Sequence, residues 1–427
     1  MIKKLKYDLV VFGGGTSGIA AAYIASKLGI NTLLIEKSDV LGGAITQGLV
    51  IPSMKVNTEN INTDFFNDLK TFADKYNARH TYIDGNEAWF NPELLKIVFD
   101  DMLTSVNCPI LFSSEPCCIK YSSKTGIFNS EISHKLLSLY IESKYIIDAT
   151  AQGKIFKLLN CEFQNSENKF QNPGLRFIMS GINIETFSNW LLEIDKDINV
   201  TTVEKTDRGI YLSTAYTWDI SRKWALAPLF KEAVRLKVLE YSDTAYFQVF
   251  SIPKMPDALA FNCPRIIFKN NGDINDPFVY SSALIQGRQR IIRIAAFCKR
   301  FLPGFKDAYI SNISDILGIR ESVRIKGKCI TKYSDLLSDK IPFNPALACD
   351  YPIDIHSDKP QNDKLIFSKH TYYLPVESLI SSKFDNLYAT GRILSADFEA
   401  QSALRTQQSC FSMGEAAAKD IYKKLNH

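Results

Sequence analysis

No two of the nine cysteines stand at C-x-x-C spacing, and their odd number and scatter (Cys108, Cys117, Cys118, Cys161, Cys263, Cys298, Cys329, Cys349 and Cys410) do not form a disulfide framework. A reducing compartment is favoured, and vicinal Cys117–Cys118 reads as two small buried residues on a strand. Histidine is scarce, five in 427 residues, and none falls with cysteine at metal-ligand spacing, so no metal site is expected. His80, His134 and His370 are isolated and read as core or surface residues rather than catalytic bases. No apolar run approaches about 18 residues, so no membrane-crossing helix is expected. A long Lys/Arg block is also missing. Fifty basic against 46 acidic residues give a net charge of +4, too even for a nucleic-acid binder. The densest basic stretch, Arg288 to Arg293 with Lys299 and Arg300, reads as one solvated helix face. The basic start before Leu9–Phe12 runs into glycines with no cleavage site, so the expectation is a cytoplasmic protein acting on a small molecule.

What is present is ordinary globular material: 46% apolar and 22% charged residues, in a length that fits two packed domains. Residues 7–12 read as a buried strand, Ile19 to Leu28 as a helix rich in small residues, and Asn31 to Glu36 as a second strand. Strand, glycine turn, helix and strand within about 30 residues make a βαβ unit. Asn91-Pro92-Glu93 opens a helix that runs to Val106. Pro109 to Phe112 reads as a short strand, residues 117–147 as an antiparallel meander turning at Lys124–Gly126, and Lys144 to Thr150 as a further buried strand. From about 165 to 370 aromatics become dense (Trp190, Trp218, Trp224, Tyr246, Phe247, Phe250, Phe261), which suggests a second, mixed α+β domain with an aromatic-lined pocket. Ser357 to Lys364 reads as an exposed loop. Asn386 to Gly391 reads as a strand, and Ser409 to Leu425 as a closing helix.

The chemistry concentrates in Gly13-Gly-Gly15-Thr16-Ser17-Gly18. Gly13 permits the sharp turn out of the strand, Gly15 lets a pyrophosphate approach the backbone, and Gly18 lets the helix pack on the sheet. The first helical turn offers free N–H groups and a positive dipole end to phosphate. Glu36 ends the second strand, where a carboxylate accepts hydrogen bonds from ribose hydroxyls and repels a 2′-phosphate. These features fit NAD and FAD alike.

Two further segments discriminate by resemblance. Leu41-Gly42-Gly43-Ala44-Ile45-Thr46 follows the second strand, and Asn386-Leu-Tyr-Ala-Thr-Gly391-Arg392 comes late. With Asp148-Ala149-Thr150 between them, this order resembles the glutathione-reductase-type flavoproteins. The resemblance implies a discontinuous FAD-binding domain, residues 1–165 with 371–427, and an inserted substrate domain, 166–370. The strings Leu317-Gly-Ile-Arg320-Glu321-Ser322 and Gly391-Arg392 with Glu399-Ala-Gln401-Ser-Ala-Leu-Arg405 are similar to the FAD-dependent oxidoreductase family, most of whose members have no assigned substrate. That similarity implies FAD contacts from Gly13, Gly15, Thr16, Ser17, Gly18, Glu36, Lys37, Gly42, Gly43, Ala44, Thr46, Ala149, Thr150, Gly391, Arg392 and Gln401. It also implies hydride transfer between a small organic substrate and flavin N5, with an unassigned electron acceptor.

Arg320 and Glu321 form a candidate pair: Arg320 holds a substrate carboxylate or developing negative charge on the flavin with Glu321 positioning it, or the two make an interdomain salt bridge. Arg405 stands at the flavin's pyrimidine edge or caps a helix. Thr46 and Gln47 line the cavity or belong to the loop alone. The chain departs from the family at Ala151, where a glycine is usual, at Phe398, commonly His, and at Gln408, commonly Pro. Those departures keep a catalytically degenerate FAD-binding protein as an alternative. A flavoprotein of the RNA-modifying, glucose-inhibited-division type is another.

Overall fold

The computed structural model describes residues 4–135, 137–164, 171–216, 224–267, 273–338, 340–356 and 363–426. Trp218 and loop residues 357–362 lie outside the described residues.

The chain opens on a βαβ unit. The strand Lys4–Phe12 pairs in parallel with Thr32–Ile35, Leu9 opposite Thr32 and Phe12 opposite Ile35. The helix between them, Thr16–Lys27, is buried from Thr16 to Ala25, a run of small residues that lets it lie close to the sheet. Ile110–Leu111 extends the sheet beyond Thr32–Ile35, and the long strand Leu137–Asp148 flanks Lys4–Phe12 on the other side, both in parallel. These four strands form a Rossmann-like parallel core in an α/β fold.

Leu137–Asp148 changes partner along its length. Its first half carries an antiparallel meander with Ile127–His134 and Ser114–Ser122; its last three residues pair in parallel with Leu387–Ala389. The third meander strand and the buried strand expected over Lys144 to Thr150 are therefore one element. The polar Glu142-Ser-Lys144 marks the exchange of partners, not a break in the chain. The closing helix, Gln407–Leu425, packs on Thr16–Lys27 so closely that a Cβ on Gly414 would stand 2.1 Å from the Ser17 carbonyl oxygen. The helix opened by Asn91 runs Pro92–Ser105, and the Asn91 side chain accepts hydrogen bonds from the N–H groups of Glu93 and Leu94.

A second, antiparallel sheet follows, in the order Thr201–Thr206, Gly209–Tyr216, Phe247–Ile252, Met255–Phe261, Phe177–Ser180, Tyr309–Ile313. Helices Ile184–Ile194, Ala227–Arg235 and Pro277–Phe301 share its core. Phe177 stacks on Phe261 and Phe230 on Phe297, so most of the aromatic density of this region builds a hydrophobic core instead of the expected pocket wall. The basic stretch is likewise not a uniformly solvated face: Arg290 is buried, donating to the Arg265 carbonyl, and Arg293 pairs with buried Asp243 at 2.6 Å. Cys117 is exposed rather than buried, beside a register shift between Pro116 and Cys118.

Ile325 shares a hydrophobic core with Val10, Phe12 and Leu387, and Leu336, Leu347, Ile353 and Leu374 belong to the same core as Ile19 and Phe411.

Candidate functional site

The turn out of the first strand works by excluding side chains. Gly13 has φ +99°, and a Cβ there would stand 2.5 Å from the Ala149 carbonyl oxygen. A Cβ on Gly18 would lie 1.8 Å from the Gly13 carbonyl oxygen, so the helix reaches its depth only with glycine there. Gly15 differs: a Cβ there meets nothing within 4 Å. The helix that follows has no side-chain cap and no acidic residue in its first turn. The first helical turn, Thr16 to Gly18, thus sets main-chain N–H groups and a positive dipole end beside the open Gly15 face, the arrangement a pyrophosphate fills.

Glu36 does more than its place at the strand end indicated. It is buried; Oε2 accepts from the Gly14 N–H at 2.6 Å, and Oε1 accepts from the Ser38 N–H at 2.8 Å and its hydroxyl at 2.7 Å. It clamps the glycine turn to the loop after the second strand, and a carboxylate's roughly four acceptor positions leave one for a ribose hydroxyl. Lys37 beside it is exposed. Gly42 has φ +101° and donates to the Gly14 carbonyl at 2.8 Å, and a Cβ on Gly43 would stand 3.2 Å from the Gly15 Cα. The two glycine loops therefore abut, with Ala44 half-buried next to them. Thr46 is buried with its hydroxyl on the Leu41 carbonyl, so it braces the loop instead of lining an open space. Gln47 touches the other layer: its carbonyl accepts from the Asp315 N–H at 3.0 Å.

At the end of the long strand, Asp148 is fully buried and accepts from the Thr150 N–H and hydroxyl and from the N–H groups of Ile155 and Phe156. Burial pushes its carboxyl up, and these donors oppose the rise. The Thr150 hydroxyl also accepts from the Lys154 N–H at 3.1 Å, so it is committed to starting the helix Lys154–Leu158. Ala151, where a glycine is usual, has φ +62°. Gly391, φ +77°, lies against Ser17, and a Cβ there would be 2.9 Å from its hydroxyl. Arg392 donates to the Ala151 carbonyl at 3.1 Å and the Ile319 carbonyl at 2.7 Å. Gln401, fully buried, donates to the carbonyls of Arg320 and Arg392, while its Oε1 has no partner among the described residues. It staples two arginine-bearing segments together.

The Arg320–Glu321 pair does not form. Glu321 pairs with Arg324 three residues along, and Arg320 donates to the Asn172 carbonyl. Arg320 instead belongs to a deep cluster between the two layers, drawn from distant segments: Arg176, Tyr246 and Arg265 at the ends of the second sheet, Tyr351, Asp354 and His356 on the return, and Arg405 after the helix Phe398–Leu404. Arg405 Nη2 lies 3.0 Å from the Asp354 carbonyl and 3.4 Å from its carboxylate. Arg265 donates to His356 Nδ1 at 2.7 Å, and His356 Nε2 faces Asp354 at 3.1 Å, which fixes the neutral tautomer with its proton on Nε2. These side chains keep some exposure, 15% for Arg405, 19% for Asp354 and 14% for His356, so the cluster is not sealed from solvent.

Burial and the neighbouring cations push Arg320 down to about 9 and His356 down to about 3. Burial lowers Arg176 and Arg392 to about 10 each. Burial raises the Asp354 carboxyl, but His356, Arg405 and Arg320 outweigh it and hold the group below the usual carboxylate range. Sequence reasoning missed Arg176, Tyr246, Arg265, Asp354 and His356 as members of one site. One signal was available: Arg176 interrupts the otherwise apolar Leu175 to Met179, a charge immediately before the buried strand Phe177–Ser180. The isolated histidines are structural. His80 stacks on Tyr211 and faces Glu204 at 3.0 Å, His134 meets the Ser114 hydroxyl at 2.9 Å, and His370 is exposed. Among the described residues no cluster could hold a metal ion and no helix is long and apolar enough to cross a membrane.

The chain is 42% identical over 52 residues to the mouse (Mus musculus) pyridine nucleotide-disulfide oxidoreductase domain-containing protein 2, covering 12% of this chain and 9% of that protein. It is 28% identical over 123 residues to the mitochondrial dihydrolipoyl dehydrogenase of Schizosaccharomyces pombe, covering 29% of this chain and 22% of that enzyme. Both matches span less than a quarter of the relatives' length. Among solved structures, a geranylgeranyl bacteriochlorophyll reductase-like protein from Thermoplasma acidophilum aligns over 99% of this chain and 79% of its own, at 13% identity and TM-score 0.48. A flavin-dependent brominase aligns over 99% and 80%, at 12% identity and TM-score 0.46. The family model for FAD dependent oxidoreductases matches residues 8–420, nearly the whole chain. The chain belongs to the FAD-dependent oxidoreductases, and its cofactor is FAD.

Proposed function

We propose that this chain oxidises or reduces a small organic substrate in the chamber between its two layers, using FAD held across the glycine turn in a discontinuous, glutathione-reductase-like domain. The observation that carries this reading is the open Gly15 face at an uncapped helix start, joined through Gly391, Arg392 and Gln401 to the buried arginines. Thr16, Ser17 and Gly18 hold the phosphates through main-chain N–H groups, and Glu36 takes a ribose hydroxyl while clamping Gly14. Gly42, Gly43, Ala44 and Thr46 shape the edge of the cofactor path. Bound FAD would supply a two-electron carrier whose N5 exchanges a hydride with a substrate carbon; a separate electron acceptor would reoxidise it where the substrate is oxidised, and a separate donor would reduce it where the substrate is reduced. Arg405, in reach of the chamber, balances negative charge there. Ala149 packs under Gly13, and Thr150 is spent on Asp148, so both act by shaping the turn.

Absorption of the purified full chain before and after acid release tests the reading. The two visible bands of oxidised flavin, passing into the supernatant as FAD, are expected, together with anaerobic bleaching by a member of a metabolite panel. A colourless protein that takes up no added FAD would overturn it.

A further inference from the structure

The chamber holds more positive charge than the protein around it balances. Arg176, Arg265, Arg320 and Arg405 converge there; among the described residues the carboxylates are Asp354 and Asp363, and His356 is neutral. Arg265 is taken by Asp363 at 2.5 Å, and Arg405 leans on Asp354 at 3.4 Å. Arg176 and Arg320 remain. Among the described residues Arg320 has one protein acceptor, the Asn172 carbonyl. The Arg176 guanidinium donates to no group among the described residues, although its own main chain is tied to Ser314. It lies against Gly318, where a Cβ would stand 2.7 Å from Nη1, so glycine there makes room for the guanidinium. Gly318 and Arg320 belong to one short segment, which sets the two guanidiniums in the same chamber. Both arginines are half-buried, and guanidiniums with no carboxylate partner among the described residues leave N–H groups for a ligand that brings the negative charge.

We propose that Arg176 and Arg320 clamp the oxyanion of an anionic organic substrate, a carboxylate or a phosphate monoester. The inference rests on the oxidoreductase reading above for what happens to that substrate afterwards. Guanidinium groups suit the task because their forked N–H groups match two oxygens of one anion. Tyr246, against which Arg265 stacks at 5.4 Å, forms part of the wall beside the clamp.

The test titrates the FAD-loaded full chain with paired probes, succinate against succinamide, benzoate against benzamide, and phenyl phosphate. Flavin absorbance and melting temperature are the readouts. At least one anion is expected to bind about 100-fold tighter than the neutral probes, and whether benzoate or phenyl phosphate binds tighter identifies the oxyanion. Arg176→Met and Arg320→Gln each weaken that anion about 100-fold. Arg176→Met also raises the melting temperature without ligand, since it removes a half-buried charge that has no acceptor among the described residues; an arginine that merely holds the fold would lower it. Gly318→Ala displaces the Arg176 tip and weakens the anion about tenfold, with FAD content unchanged. Equal binding of anions and amides, or intact anion binding in Arg176→Met, overturns the proposal. A protein that contains no FAD sinks the oxidoreductase reading alone, because anion-induced thermal shifts still report on the clamp.

Discussion

Around Gly13–Gly18 the molecule takes side chains away, whereas around Arg320 it brings them together. In the turn, Gly13, Gly18 and Gly414 leave no room for a methyl group, and specificity comes from backbone lying against backbone. In the chamber, arginines from four separate segments meet, with fewer carboxylates than guanidiniums among the described residues. The first region is expensive to change because it is full; the second is expensive to keep because it is charged. A mutation in the turn therefore registers as a steric failure, and one in the chamber as an electrostatic change that can stabilise the protein while removing a ligand.

The largest expected effect is Gly18→Ala. With a Cβ 1.8 Å from the Gly13 carbonyl oxygen, the helix must move, at a cost above about 3 kcal/mol, and a thermal melt together with flavin content is expected to show loss of both fold and FAD. Gly15→Ala sharpens the contrast. Its methyl group enters open space, so the melting temperature of the FAD-free protein stays within about 2 °C of wild type while FAD binds roughly 100-fold more weakly, about 2.7 kcal/mol. Equal unfolding by the two substitutions would break the division between a packing glycine and a ligand-facing one.

The chamber is separated from the turn by pH. His356 is held down to about 3 against an unfolded value near 6.5, so the folded state resists a proton that the unfolded chain accepts. Its contribution is fully present above about pH 6.5 and is lost as pH falls toward 3, with a slope near 1.4 kcal/mol per unit. Denaturant midpoints of wild type and His356→Gln across that window should converge as pH falls; parallel curves would show that His356 is not the neutral group described. The smallest effect belongs to Ala151→Gly. Relief of a left-handed alanine, φ +62°, outweighs the extra chain entropy of glycine, for a gain of about 0.5–1 kcal/mol in chemical denaturation. A loss instead would mean that the Ala151 methyl group makes a packing contribution larger than its strain.

The same contrast explains what was legible beforehand. The turn, the helix after it and Glu36 lie within one short stretch, and glycine spacing reports directly on backbone geometry, so that unit was readable. So was the Asn91 cap, because the accepting side chain and the N–H donors are two and three residues apart. Leu137–Asp148 was divided in two because its polar middle reflects an exchange of partners set by residues 387–389, which local pattern does not report. Glu321 stands beside Arg320 in sequence, yet the irregular segment that carries both turns its carboxylate to Arg324, which neighbour spacing does not report. The chamber was the least readable: Arg176 acquires meaning only from Gly318 and Arg320, and Asp354 with His356 only from Arg265 and Arg405.

The exchange of partners along Leu137–Asp148 also sets an order of events during synthesis. When that strand leaves the ribosome its final residues face an empty lane, because Leu387–Ala389 follows only after the whole antiparallel sheet has been made. The helix Thr16–Lys27 waits equally long for Gln407–Leu425 to cover it. The nascent chain thus carries an open strand edge and an uncovered apolar helix through most of translation, the two features by which unfinished proteins find wrong partners. Closure comes last, when Gly391 and Gly414 seat against Ser17.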